Sequence, residues 1–356
     1  MKHIIKIDDE KCRGCTNCVR VCPVKDANIT DTSSDKPKVR IDSNKCISCG
    51  ACLRACPTGA RFYSDDTERF FDDLESGEPI ALIVAPAFKE NFENWRSILA
   101  WLKTKGAFAI IDVSLGIEIC TWAHIRYIER YNPTALIPQP CPPIAQYIEK
   151  HCPEMQSDLS PVYSPIQCTS IYLKKVLKLP EKISALTPCP AKTIEFEETN
   201  FVSYNVTFKK LLAYLTAHDI SIPDAIFEFD NLAAVCSNAC TMASDYIKSV
   251  SGIGCISFIY STIKVDKVKS SENVYRYLDS VSRKEATDFP VLLDALNCIG
   301  GCSNGPGGNL EKSYTQQMTC KLNDGAIESN IERANLFSVI DNMLQLTDYI
   351  KPSGFS

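Results

Sequence analysis

The sequence predicts a small α+β unit built on eight N-terminal cysteines. A larger α/β domain follows, with its ligand at the C-terminal ends of parallel strands. Three observations carry this reading. Eight of the 19 cysteines lie within the first 56 residues, in two identical spacings. From residue 79, short apolar runs alternate with amphipathic helical stretches, the rhythm of βα repeats. Further cysteines stand directly after three of those apolar runs.

With 356 residues, 45% of them hydrophobic, the chain can bury one sizeable core and a smaller satellite. Its 38 basic and 43 acidic residues leave a net charge of −5. That argues against a basic nucleic-acid binder and for a soluble acidic protein. The opening MKHIIKIDDEK has no apolar core of a signal peptide. No apolar run approaches the roughly 18 residues of a membrane span, and the best, 80–88, is interrupted by Pro86. A cytoplasmic location with reduced thiols is therefore expected. Clustered soft thiolates select iron–sulfur, zinc or copper(I).

The first run is Cys12-Arg13-Gly14-Cys15-Thr16-Asn17-Cys18-Val19-Arg20-Val21-Cys22-Pro23. The second is Cys46-Ile47-Ser48-Cys49-Gly50-Ala51-Cys52-Leu53-Arg54-Ala55-Cys56-Pro57. Both read C-x2-C-x2-C-x3-C-P, the bacterial ferredoxin run, whose fourth cysteine serves the other cluster. One 4Fe–4S cube is thus expected on Cys12, Cys15, Cys18 and Cys56, and another on Cys46, Cys49, Cys52 and Cys22. A zinc ribbon would need one C-x2-C per half and leave four thiols over. Pro23 and Pro57 end the turn after each fourth cysteine, and Gly14 and Gly50 are expected to let the loop approach the metal. Residues 26–45 read as the polar connection and hairpin between the halves. The expected organisation is a two-cluster ferredoxin-like domain over 1–65, an acidic linker with a short helix over 66–78, and the α/β domain over 79–356.

Candidate strands in the larger domain are 80–85, 107–112, 134–139, 183–188 and 291–297. Candidate helices are 89–104, 116–131, 143–151, 165–178, 207–218, 272–286 and 331–350, with Asn205 or Thr207 starting the helix FKKLLAYLTAH. In such sheets ligands collect outside the carboxyl ends of the strands. Cys141 follows TALIPQ, Cys189 follows ISALTP, and Cys298 and Cys302 follow VLLDALN. Three strand ends thus supply four thiolates, enough for one more cube unless one of them bridges to something else. Gly300, Gly301, Gly305, Gly307 and Gly308 would let backbone pass close to a bulky inorganic group. Lys192 can place a cation beside an anionic group on that cofactor.

The order of these motifs resembles the iron-iron (FeFe) hydrogenases over nearly the whole chain. That family carries three signatures, TSCCPxW, MPCxxKxxE and ExMxCxxGCxxGGG. The counterparts are Pro140-Cys141-Pro142, then Pro188-Cys189-Pro190-Ala191-Lys192-Thr193-Ile194-Glu195, then Leu296-Asn297-Cys298-Ile299-Gly300-Gly301-Cys302-Ser303-Asn304-Gly305. The resemblance implies an FeFe-hydrogenase-like α/β domain holding an H-cluster. Cys141, Cys189, Cys298 and Cys302 would bind its 4Fe–4S part. Cys302 would also bridge to a diiron subcluster carrying CO, cyanide and a dithiolate amine, and Lys192 would hydrogen-bond a cyanide. It implies reversible interconversion of H2 with protons and electrons, the electrons passing through the two N-terminal clusters. The implied partners are a ferredoxin-type redox protein and the maturation enzymes that install the diiron unit.

Departures from the signatures qualify this. Pro140 stands where catalytic members place a proton-relaying cysteine. The methionine before the second-motif cysteine is replaced by Pro188, or by Thr187 one position earlier, so that MPC survives only as PC, and Leu296 replaces another; these methionines pack against the diiron unit in catalytic members. Glu118, in DVSLGIEICTW, matches one relay glutamate, while Thr121 stands where a second is expected and cannot ionise. These changes resemble the divergent, sensory members, so a slow hydrogenase, an H2 sensor acting through a separate signalling partner, and an electron-transfer protein without the diiron unit all remain open. Cys120, Cys168 and Cys255 read as core thiols, with Cys168 also a candidate substitute proton donor. Cys236 and Cys240 stand at helical spacing, Cys152 and Cys320 read as incidental, and His124 as a packed histidine.

Overall fold

The computed structural model describes residues 4–31, 37–230, 265–269, 271–283, 292–299, 301–309 and 337–352. The N-terminal unit is α+β. Strand β1 (Ile5–Ile7) leads into the first cysteine run and the short helix α1 (Asn17–Arg20). A hairpin of β2 (Asn28–Asp31) and β3 (Lys38–Ile41) separates this from α2 (Ala51–Ala55) and β4 (Arg61–Tyr63). Strand β4 closes the unit by pairing antiparallel with β1, Ile5 opposite Tyr63 and Ile7 opposite Arg61. Both cysteine runs need left-handed backbone on either side of their middle cysteine. Gly14 (φ 65°) and Thr16 (φ 59°) flank Cys15, and Ser48 (φ 58°) and Gly50 (φ 77°) flank Cys49. Each repeat puts glycine where a neighbour crowds it: a Cβ on Gly14 would lie 2.3 Å from Pro37 O, and one on Gly50 2.5 Å from the Pro306 ring. These glycines thus admit close approach of neighbouring protein.

The larger domain opens with helix α3 (Thr67–Glu75), followed by β5 (Ile80–Val84), α4 (Ala87–Asn91), α5 (Trp95–Thr104), β6 (Ala107–Asp112) and α6 (Ser114–Tyr131). Next come α7 (Pro142–His151), α8 (Pro165–Ile171), β7 (Lys182–Thr187), α9 (Lys192–Thr199), β8 (Tyr204–Thr207) and α10 (Phe208–Ala217). Strand β9 (Val265–Lys269), helix α11 (Ser271–Ser282) and β10 (Leu292–Leu296) follow. Strands β6, β5, β7 and β8, in that order, form an all-parallel sheet. Strand β10 pairs in parallel with β9 in a separate two-stranded sheet.

The unbroken apolar run of β5 has a physical cause, for the sheet is covered on both faces. Ala81 and Ile83 face one core with α6 and α8, including Trp122, Ile166 and Ile171. Ile80, Leu82 and Val84 face the other, with Phe70, Leu99 and Phe208. Phe70, Phe71 and Leu74 of α3 are buried there, contributing about 1.5–3 kcal/mol apiece. Residues 66–78, expected as a linker, therefore hold a helix packed into the α/β body. A third apolar cluster joins Val24, Ala27 and Ile47 of the N-terminal unit to Ile144, Tyr275 and Leu293 of the larger domain.

Several sequence expectations are corrected. Residues 134–139 form no ladder strand; Ile137 makes one isolated bridge to Leu159, and Leu136 O accepts from Leu293 N at the edge of β10. Asn205 does not start a helix. It lies in β8, and α10 begins at Phe208 with Thr207 before it. The expected helix 89–104 breaks at Phe92–Asn94 into α4 and α5. The helix over 165–178 widens into π-helical turns from Tyr172 to Val176. Helix α9, whose first residue is Lys192, was not anticipated. Of the expected helix 331–350, the described part is helical over 337–343.

Candidate iron–sulfur sites

In the N-terminal unit the folded chain gathers both expected quartets. Cys12, Cys15, Cys18 and Cys56 line one small cavity, together with Arg61. Burial raises the pKa of Cys49, and nearby Cys52, Cys22 and Cys46 raise it further. Cys52, with Cys46, Cys22 and Cys18 nearby, is pushed up to about 12, again mainly by burial. Thiolates so disfavoured by burial and by one another are stable only around a positive centre. Among the described residues no three His, Cys, Asp or Glu side chains close on a single-ion position. A cube asks instead for four thiolates spread over four irons. The donor set therefore fits iron–sulfur clusters.

The larger domain brings its strand-end cysteines together as well. Cys141 begins α7 just ahead of Pro142 and Pro143, whose missing N–H groups suit a helix start. Cys189 follows β7, Cys298 follows β10, and Cys302 opens a short 3-10 turn. Burial, then Cys298, Cys302 and Cys189, hold the Cys141 thiol above its ordinary pKa. Cys189 is pushed up to about 12 by burial and Cys298, with Lys192 opposing. Cys141 and Cys298 are buried and Cys302 is exposed. This set too fits a cluster.

Lys192 is buried beside them. Its Nζ donates to Pro140 O (3.0 Å) and to both Glu195 oxygens (2.9 Å each). Ser164, the N-cap of α8, donates its hydroxyl to Glu195 Oε1 at 2.7 Å. Of the three ammonium donors, Pro140 and Glu195 occupy at least two, leaving at most one for a ligand. Gly305 and Gly307 of the final motif make close contacts with protein, while Gly300 lies outside the described residues. A Cβ on Gly305 would lie 2.3 Å from Pro188 O, and one on Gly307 2.9 Å from Thr207 Cβ. They bring the Cys302 loop against the end of β7, where Gly307 N donates to Pro188 O (2.8 Å). Asn91 ties the same loop down through Ser303 O and Asn309 N.

The two units meet at this site. Asn297, fully buried, donates to Cys49 O (3.2 Å) and Cys298 Sγ (3.6 Å) while accepting from the Tyr275 hydroxyl. Lys150 Nζ donates to Cys46 O (2.8 Å), and His151 Nε2 to Lys45 O (3.0 Å). The Cys46–Cys49 loop thus lies against the strand-end thiols, and Cys15 of the other quartet is exposed. Asn297 and Arg61 were missed from the sequence. A charged residue at an inward strand position was the available signal for Arg61; Asn297 left none.

The relay candidates fare differently. Glu118 is buried on α6. Thr121 donates its hydroxyl back to Ile117 O (2.8 Å), within its own helix. His124 is packed, with Nδ1 donating to Cys120 O (2.8 Å) and Nε2 accepting from Ser160 Oγ (3.1 Å). Cys120 and Cys168 both donate to Tyr163 O at 3.3 Å inside the apolar core. Cys152 is buried near Asp279. Cys236, Cys240, Cys255 and Cys320 lie outside the described residues. Among the described residues no helix is long and apolar enough to cross a membrane.

Comparison with known proteins agrees with this architecture. Residues 78–306 match the family model of the iron only hydrogenase large subunit, C-terminal domain, and residues 11–60 match a 4Fe-4S dicluster domain. No curated protein sequence matches the chain. Among solved structures, an [FeFe]-hydrogenase studied for oxygen inactivation through its H cluster 2Fe subcluster shares the fold at TM-score 0.55. It is 13% identical, over 80% of this chain and 92% of that one. Apo [FeFe]-hydrogenase HydA1 from Chlamydomonas reinhardtii, as a cysteine variant, gives TM-score 0.54 at 12% identity, over 81% and 92%. At these identities the likeness is one of fold. The matched hydrogenase domain spans more than half of the sequence, and the chain therefore belongs to the iron-only hydrogenase large-subunit family, carrying a 4Fe-4S dicluster domain ahead of its hydrogenase-like domain.

Proposed function

We propose that this chain is a slow FeFe hydrogenase. Cys12, Cys15, Cys18 and Cys56 would hold one 4Fe–4S cluster, and Cys46, Cys49, Cys52 and Cys22 a second. Cys141, Cys189, Cys298 and Cys302 would hold the cube of an H-cluster, with Cys302 also bridging to its diiron part. The observation that carries this is the convergence of four thiols, from the ends of β7 and β10 and the start of α7, beside one buried lysine. When bound, an H-cluster supplies the interconversion of H2 with protons and electrons. The chain's own residues hold it, shield it and feed it. Lys192, fixed by Glu195 and Pro140 O, keeps at most one donor for an anionic ligand. Asn297 hydrogen-bonds the second cluster's loop and the third site at once, which supports electron passage between them. A ferredoxin-type partner would deliver electrons at the exposed Cys15 side, and maturation enzymes would install the diiron unit.

Low turnover follows from Pro140 and Thr121. A proline ring carries no exchangeable proton, and the Thr121 hydroxyl, which donates to Ile117 O, cannot ionise as a carboxyl would. Losing a positioned proton donor costs about 10²–10⁴-fold in rate. The same observation favours a second reading, an H2 sensor that reports to a separate signalling partner. The test is anaerobic cluster rebuilding, addition of a synthetic diiron precursor and infrared spectroscopy with and without H2. Metal-bound CO and cyanide bands that shift under H2 are expected; turnover above or near background then separates enzyme from sensor. Cube signals without such bands would refute both hydrogen readings and leave an electron-transfer protein.

A further inference from the structure

We propose that Arg61 is a built-in counter-charge shared by the two N-terminal clusters, and that it holds their reduction potentials up. The proposal rests on the assignment of cubes to the two N-terminal quartets. In β4, Arg61 and Tyr63 point inward and Phe62 outward. Arg61 is only 5% exposed. Its Nη2 donates to Cys18 Sγ (3.3 Å) and Val39 O (3.5 Å), while Nη1 has no hydrogen-bond partner among the described residues. A guanidinium cannot shed its proton, and burying a charge without a counter-charge is costly.

The surroundings identify the missing anion. Arg61 lines the cavity formed by Cys12, Cys15, Cys18 and Cys56. Cys52 of the other quartet belongs to the same buried cluster as Cys18 and Val39, the two residues to which Arg61 donates. One cation thus stands between a ligand of each cluster. A cube with four thiolates is anionic, and one-electron reduction by an external donor adds one negative charge to it. A fixed cation beside a ligand sulfur favours that reduced form. The Cys49 loop lies against the Cys298 site and Cys15 is exposed, so Arg61 would ease electron uptake at the two N-terminal clusters.

The test is an EPR-monitored redox titration of the full chain with rebuilt clusters, using dithionite as reductant at matched iron content. Arg61→Met and Arg61→Gln, two neutral replacements of different shape, should each lower the potential of at least one N-terminal cluster. The expected change is about tenfold in the reduction equilibrium, or about 59 mV for one electron. Arg61→Lys should stay closer to wild type. Unchanged potentials in the neutral variants, or a Lys variant that falls as far as Met, would overturn the proposal. A wild-type chain that takes up no cubes would instead overturn the cluster assignment beneath it.

Discussion

Glu195→Gln and Lys192→Met should each destabilise the α/β domain by about 3–5 kcal/mol, and the double variant by much less than their sum. The pair lies at 2.9 Å with its side chains 10% and 8% exposed. At an effective dielectric constant of about 20, attraction at that distance is about 6 kcal/mol. Desolvating both charges cancels much of it, which is why removing both partners together is nearly neutral. Removing one is different. Glu195→Gln leaves a buried ammonium with only neutral acceptors, Pro140 O and the new amide oxygen, and no counter-charge. Lys192→Met leaves a buried carboxylate with only the Ser164 hydroxyl of its present side-chain donors. The assay is thermal unfolding of the cluster-free chain, so that metal uptake does not enter. At about 2 °C per kcal/mol, each single variant should lose about 6–10 °C. Single variants within about 2 °C of wild type, or a double variant that loses the full sum, would refute the reasoning.

Other predictions follow from single contacts. Gly305→Ala should push the Cys302 loop off Pro188 O, costing about 1–3 kcal/mol and one cube's worth of iron, with N-terminal EPR signals retained; full iron content would contradict the close approach. Cys302→Ala should abolish diiron infrared bands while leaving the N-terminal clusters intact, and surviving bands would mean that the ligand is misassigned. Pro140→Cys should raise turnover if the absent relay thiol limits the rate; no gain would shift the limit to Glu118 or Thr121. Asp341 is held below the usual carboxylate range by the Arg126 guanidinium, and it accepts from Trp122 Nε1 at 2.8 Å. Its folded pKa is depressed, so its contribution is present above pH 3.8 and lost as pH falls through the lower folded value. Asp341→Asn should therefore speed hydrogen exchange in residues 337–343 at pH 6 by a factor of about 5 or less. Wild type and variant should converge in acid, and a gap that persists there would exclude the titration.

Much was legible in the sequence because its signals were local. The C-x2-C-x2-C-x3-C-P runs sit within twelve residues each, so spacing alone grouped the N-terminal thiols. The apolar run at 80–84 is buried throughout, and that at 107–112 is buried over Ala109–Ile111 with Phe108 exposed; both read plainly as strands. The short helix expected within 66–78 forms, but its packing into the α/β body was hidden because its acidic residues outnumber the three apolar ones that α3 turns inward. TALIPQ reads as a strand from β-propensity, yet its ladder depends on neighbours that only the fold supplies. Asn205 and Thr207 carry helix-cap chemistry, but β7 offered an edge and drew them into β8.

What the sequence determined by itself is the donor inventory: eight regularly spaced cysteines, four more directly after apolar runs, and a lysine three residues after one of them. Only the tertiary structure decided what surrounds those donors. It turned the glycines of the last motif against Pro188 and Thr207, locked Lys192 onto Glu195 and Pro140, set Asn297 between Cys49 and Cys298, and buried Arg61 against Cys18. The physical reason is the range of the interactions. Ligand spacing is fixed along the chain, whereas burial, counter-charge and close backbone approach depend on residues far apart in sequence, which meet only when the core closes.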